Sequence, residues 1–133
     1  MKDQVVLITG ASAGTATFTF TDASTGCVSN PTPAVTVNAR PTIAAITTLT
    51  ETCAGNNFNQ SNPTVTANGS TVSGSTWQLE TAVGSGTFAA ITLPYTTAFA
   101  DNGKKVRFSV GSICGTGTSN EVVLTVNPQP MLT

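Results

Sequence analysis

The sequence predicts an all-β protein of the sandwich type, and three observations predict it. Charged residues are only 8% of the 133 and hydrophobic ones 39%, against roughly 25% charged in an average domain. Thr, Ser, Asn and Gly take the place of the charges: β-branched Thr suits a half-exposed pleated surface, and Gly, Asn and Pro supply turns. Short alternating segments recur between turn signals, and no stretch rich in Ala, Leu, Glu and Lys suggests a long helix.

The elements follow in chain order. Thr15-Ala16-Thr17-Phe18-Thr19-Phe20-Thr21 alternates cleanly and reads as a strand. The turn Asp22-Ala23-Ser24-Thr25-Gly26 follows it, then a strand over 33–38. Further strands are expected at 42–49, 58–67, 75–81, 86–91, 104–111 and 120–127. Between them lie the turn signals Asn68-Gly69, Val83-Gly84-Ser85-Gly86, Asp101-Asn102-Gly103 and Gly115-Thr116-Gly117. Trp77, Phe108, Val110 and Leu124 are the expected core residues of these strands.

A repeat runs through the chain. Thr36-Val37-Asn38-Ala39-Arg40-Pro41-Thr42 matches Thr125-Val126-Asn127-Pro128-Gln129-Pro130-Met131, an offset of 89 residues, which is about the size of one sandwich. Each stretch follows an alternating strand, and each has a Cys and a Ser-Asn pair upstream: Cys27 with Ser29-Asn30, and Cys114 with Ser119-Asn120. Residues 1–40 therefore read as the C-terminal half of one module, 41–127 as a complete module, and 128–133 as a linker into the next. Pro at the joint cannot continue a central strand and stiffens the exit. A half-module leaves strand edges and an apolar face uncovered, so Thr15, Phe18 and Phe20 mark a candidate assembly strand to be completed by a neighbouring chain.

These features resemble bacterial immunoglobulin-like repeats of large secreted and surface proteins of Bacteroidota. Cys53-Ala54-Gly55, Trp77-Gln78, Asp101-Asn102-Gly103-Lys104-Lys105 and the run from Cys114-Gly115 to Asn127 carry the match, in that order. Residues 5–43 look like the second half of a related repeat. The resemblance implies an immunoglobulin-like β-sandwich preceded by a partial β module, serving as spacer, stalk or adhesion element without chemistry of its own. The sequence departs from the pattern at Val106, where an aromatic often stands, and in placing Cys114 at the end of its strand.

Cys53 and Cys114, 61 residues apart in the same module, are expected to form a disulfide. Closing such a loop contributes about 4 kcal/mol in the chain-entropy model, and its persistence would indicate an oxidising compartment. The alternative is a pair of reduced thiols. Cys27 corresponds to Cys114 and is expected as an unpaired thiol or as an intermolecular bond to a neighbouring chain. Trp77 reads as core, with a solvent-facing sugar platform as the alternative; Tyr95, after Pro94, is the better candidate for an exposed aromatic. Asp101-Asn102-Gly103 reads as a turn, since one carboxylate cannot supply the six to eight oxygens of calcium. Asn59-Gln60-Ser61 and Asn68-Gly69-Ser70 match the glycosylation pattern.

No catalytic, cofactor or metal site is expected: the chain has no His, and its six acidic residues are scattered. Five basic residues and a net charge of −1 cannot form the basic stripe that nucleic acid requires. No apolar run reaches the ~20 residues of a membrane helix, and Val5-Val6-Leu7-Ile8 is too short for a signal peptide. The expected function is a non-catalytic structural repeat of an extracellular or cell-surface bacterial protein or fibre. Its expected partners are copies of itself or adjacent repeats, joined head to tail by strand complementation. A carbohydrate-binding or adhesion module, with glycans as partners, is the alternative.

Overall fold

A computed structural model describes residues 13–132 of the chain. Among them the protein is all-β, with thirteen short strands, one 3-10 turn and no α-helix. The chain divides into two units that meet between Ala39 and Arg40. The Val5–Ile8 run lies outside the described residues.

The described residues of the first unit form one long hairpin. Strands β1 (Gly14–Ala16) and β2 (Val35–Val37) pair antiparallel, with Thr15 opposite Thr36. Pairing continues toward the turn: Thr32 N donates to Phe18 O and Ser29 N to Phe20 O, both at 2.8 Å, and Thr21 bridges Val28. Asp22 closes the turn by accepting Ser24 Oγ at 2.6 Å and Ser24 N at 2.8 Å. Those bonds, the hydroxyl's first, hold its carboxyl below the ordinary value. Alternation leaves Ala16, Phe18 and Phe20 half-buried and Thr15, Thr17 and Thr19 exposed.

The second unit contains β3 (Thr42–Ile43), β4 (Thr52–Cys53), β5 (Asn57–Phe58), β6 (Val65–Thr66), β7 (Val72–Glu80), β8 (Phe88–Ile91), β9 (Tyr95–Thr96), β10 (Lys105–Ser112), β11 (Gly117–Thr118), β12 (Val122–Val123) and β13 (Val126–Asn127). Its main sheet runs β11-β10-β7-β8, with β12 also paired to β10. Antiparallel pairs β3–β6 and β5–β9 and the parallel pair β13–β4 make up the rest.

Several strands are shorter than the sequence pattern suggests, for visible reasons. The expected strand 42–49 ends at Ile43 because the Asn120 side chain takes over Ile46: its Oδ1 accepts Ile46 N at 2.8 Å and its Nδ2 donates to Ile46 O at 2.9 Å. The segment 58–67 splits into β5 and β6 around Pro63, which has no amide to donate. The segment 120–127 changes partners midway. Val122 and Val123 pair with β10, whereas Val126 and Asn127 pair with β4.

The core of this unit holds Ile46, Phe58, Trp77, Leu79, Val106, Phe108, Val110, Leu124 and Val126. Alternation puts Trp77 and Leu79 of β7 on the same face as Val106, Phe108 and Val110 of β10. Trp77 is the hub: Phe58 meets it edge-on at 6.2 Å and 86°, and Phe108 at 5.2 Å and 63°. Each such pair contributes about 0.5–1.5 kcal/mol beyond its buried area.

Candidate functional site

Carboxylates are the natural starting point for chemistry, and the two buried ones among the described residues are committed to the fold. Asp101 is 4% exposed. Its Oδ2 accepts Ala98 N at 2.9 Å and the Tyr95 hydroxyl at 3.2 Å, while Oδ1 pairs with Lys104 Nζ at 2.8 Å. Burial pushes this carboxyl up, but the Lys104 ion pair and the Ala98 amide outweigh it and hold the group below its ordinary value. Beside it, burial and the Asp101 charge push the Tyr95 phenol up. Tyr95 is therefore half-buried and hydrogen-bonded, not the exposed aromatic expected from its position after Pro94.

Glu80, 1% exposed, staples two chain segments. It accepts Gly86 N at 2.9 Å and Lys105 N at 3.1 Å, and the Gly86 bond above all keeps its carboxyl below the ordinary value. Glu121 sits on the surface with Lys105 at 3.0 Å and Arg107 at 4.0 Å. Among the described residues no three of His, Cys, Asp and Glu are grouped to hold a metal ion.

The cysteines depart from expectation. All three are free thiols: Cys27 exposed, Cys53 and Cys114 half-buried. The expected Cys53–Cys114 disulfide is excluded by where the strands carry the two residues. Cys53 lies opposite Asn127, and that segment adjoins the start of β10, since Leu124 N donates to Lys104 O and Val126 N to Asn102 Oδ1. Cys114 lies beyond the far end of β10, its amide held by Ser112 Oγ at 3.1 Å. Seven strand rises between Lys105 and Ser112 separate these ends by about 23 Å, whereas a disulfide needs Cα atoms within roughly 7 Å.

Trp77, Phe108, Val110 and Leu124 are all buried. Trp77 presents only 4% of its surface, and its Nε1 donates to Asn62 Oδ1 at 2.9 Å. An open, uncharged cleft of about 370 Å³ lies over it, bordered by Gln60, Asn62, Thr92 and Leu93. Trp77 is one of the lining residues, but it is almost wholly buried.

The first unit carries the clearest arrangement. Phe20 N donates to Ser29 Oγ at 2.9 Å, Ser29 N returns a bond to Phe20 O at 2.8 Å, and Ser29 Oγ donates to Asn30 O at 3.0 Å. In the second unit Phe108 N donates to Ser119 Oγ at 2.8 Å, Ser119 N to Phe108 O at 2.8 Å, and Ser119 Oγ to Asn120 O at 2.8 Å. The same three bonds thus occur in both units, on the Phe and the Ser-Asn pair that flank the cysteine. Next along, Thr21 bridges Val28 as Ser109 pairs with Thr118.

The surroundings differ. In the second unit β7 occupies the other edge of β10, with Trp77 opposite Phe108. In the first unit the Phe18 and Phe20 amides turn inward to Thr32 Oγ1 and Ser29 Oγ, which leaves the Thr17 and Thr19 amides on an edge with no partner among the described residues. Of the expected assembly strand, Thr15 lies in β1, whereas Phe18 and Phe20 lie in the segment that continues it, where side-chain oxygens take the amides in place of a backbone ladder.

No protein-family model, no curated protein and no solved structure matches the chain.

The sequence pattern aligned Cys27 with Cys114 and marked the Ser-Asn pairs without disclosing their work; the equivalence of Phe20 and Phe108 is visible only in the hydrogen bonds. An Asn or Ser beside a strand is usually a turn residue. Here Ser29 and Ser119 substitute for backbone partners within a hairpin, and Asn120 does so between segments. Glu80 gave no signal, because its role depends on Gly86 and Lys105 arriving beside it.

Proposed function

We propose that this chain is a non-catalytic structural repeat from a tandem array of immunoglobulin-like β-sandwiches, of the kind found in bacterial extracellular or surface proteins. The single observation that carries the reading is the recurrence of the Phe–Ser–Asn hairpin in both units. A repeated side-chain-to-backbone device at an offset of about 89 residues is the expected mark of duplicated modules. The second unit supports a sandwich through the strands it layers around Trp77. Every buried carboxylate oxygen that the structure describes is engaged by protein donors, which supports a role in the fold rather than in chemistry. Export belongs to the proposal through the low charge and the Thr-, Ser- and Asn-rich surface; the free thiols add nothing to it.

In such arrays each repeat contacts only its neighbours, so its stability is largely its own. The test is to compare the full chain with residues 40–133 in urea, following the fluorescence of Trp77, the only Trp. Coincident midpoints are expected. A large fall in midpoint on removing residues 1–39 would show that the two units form one sandwich and would defeat the repeat reading.

A carbohydrate-binding module is the second reading. The uncharged cleft beside Gln60, Asn62 and Thr92 favours it, since sugars are bound by neutral amide and hydroxyl groups. The buried Trp77 places it behind the first, because sugar platforms need an exposed ring face. Binding to a neutral-glycan array, lost in Asn62→Ala, would reverse that order.

A further inference from the structure

We propose that copies of this chain join by edge-to-edge strand pairing, β1 and the segment that continues it to Thr21 in one copy adding to the free edge of β8 in the next. The proposal rests on the repeat reading and names the partner and the two strands it uses.

Both edges are open among the described residues. In the first unit the Thr17 and Thr19 amides face outward, as above. In the second, β8 ends the order β11-β10-β7-β8. Thr81 N donates to Thr87 O at 2.9 Å, which marks Thr87 as a bonded position. In an antiparallel ladder such positions alternate, so Ala89 and Ile91 point their amides at β7, and Phe88 and Ala90 point theirs outward.

Charge and proline decide which edges are guarded. Proteins protect exposed strand edges with charged residues, proline or bulges. The opposite strand of the hairpin carries Pro31 and Pro33. The β12 side of the main sheet carries the Lys105–Glu121 ion pair at 3.0 Å. Neither Gly14–Thr21 nor Phe88–Ile91 contains a proline or a charged residue. Gly14–Thr21 and Phe88–Ile91 thus give each unit an edge with neither guard.

The molecule also shows what the hairpin gains. An isolated two-stranded hairpin is marginal in water, and a third strand stabilises it. In the second unit the equivalent strand, β10, has that third strand in β7. Because the donor and acceptor edges are different surfaces of one chain, the contact is heterologous. It repeats head to tail and does not close on itself as a two-fold dimer would. Four residues of β8 make a short joint, so assembly depends on concentration.

Proline at an outward-facing amide blocks an edge without removing a ladder bond. The test measures wild type, Thr17→Pro and Ala90→Pro by sedimentation velocity from micromolar to millimolar concentration. Wild type is expected to form a ladder of oligomers, and each variant alone to stay monomeric. Mixed in equal amounts, the two variants retain one good edge each, so they are expected to give a discrete heterodimer and nothing larger. Thr17→Lys and Ala90→Lys repeat the set with charge in place of proline, and circular dichroism checks that each variant is folded.

Monomeric wild type at millimolar concentration would overturn the proposal, as would oligomers that survive both variants. A monomer whose Thr17, Thr19, Phe88 and Ala90 amides resist hydrogen exchange would overturn it too, by showing the edges satisfied within one chain. None of these results touches the repeat reading, which stands or falls on the unfolding of residues 40–133.

Discussion

Phe108→Ala tests the core of the second unit where the structure makes its largest claim. The ring is 1% exposed, stands opposite Trp77 in the β10–β7 register, and meets the indole at 5.2 Å and 63°. Truncation leaves a cavity against the largest side chain of the core, and Phe→Ala changes of this type cost about 3–5 kcal/mol. A unit running from Arg40 to Thr133 has about 5–14 kcal/mol in total at the usual stability per residue. The change therefore removes about a fifth or more of what holds it folded. With a urea dependence of about 1 kcal/mol per molar for a small domain, the midpoint falls by about 3 M or more. Trp77 fluorescence follows this unit alone, since the chain has no other Trp. A shift smaller than about 1 M, below 1 kcal/mol on the same scale, would mean that Phe108 does not pack as described. Phe20→Ala is the matched control: the equivalent ring lies in the first unit, and its loss leaves the Trp77 transition in place.

Three further outcomes are expected. Ser119→Ala strands the Phe108 amide inside the second unit, and an unsatisfied buried donor costs about 1–3 kcal/mol; urea unfolding measures it, and an unchanged midpoint would deny the Ser119 bond its structural role. Asp101 and Glu80 both titrate below their ordinary values, so the stability they contribute is present above about pH 4–5 and is lost as the pH falls through their lower folded values. Melting temperatures from pH 7 to 2 should show this acid limb, and Glu80→Gln should flatten it while lowering stability at neutral pH; a variant with an unchanged acid limb would contradict the role of Glu80. Thiol titration in denaturant without reductant should count three free cysteines, with no change in melting temperature on adding a reductant; a count of one would restore the Cys53–Cys114 bond.

Much of the fold was legible because it rests on local pattern. The alternation of Thr15–Thr21 and of the segments around Trp77 and Phe108 reports burial on one face, and burial is what a sheet strand requires. Elements failed where a side chain overrode the local pattern. Ile43 to Leu49 has the composition of a strand, but Asn120, far along the chain, satisfies Ile46 in place of a neighbouring strand. Val122 to Val126 reads as one strand, yet Asn102 accepts the Val126 amide at 3.0 Å as the chain turns to pair with β4. Long-range amide bonds of this kind carry no periodicity, so no window of sequence reports them.

The cysteines show why spacing alone misleads. Two Cys in one module suggested a bond because loop length is visible in sequence and strand direction is not. β10 carries the chain away from the end where Cys53 sits, and Cys114 follows it in the turn. The same directionality gives the repeat its strength as evidence. Cys27 also occupies the turn after its Phe-bearing strand, and in both units the following Ser returns to bond that Phe. The recurring element is therefore a complete hairpin, strand, turn and return. What distinguishes its two copies is that one has β7 along its edge and the other has none among the described residues.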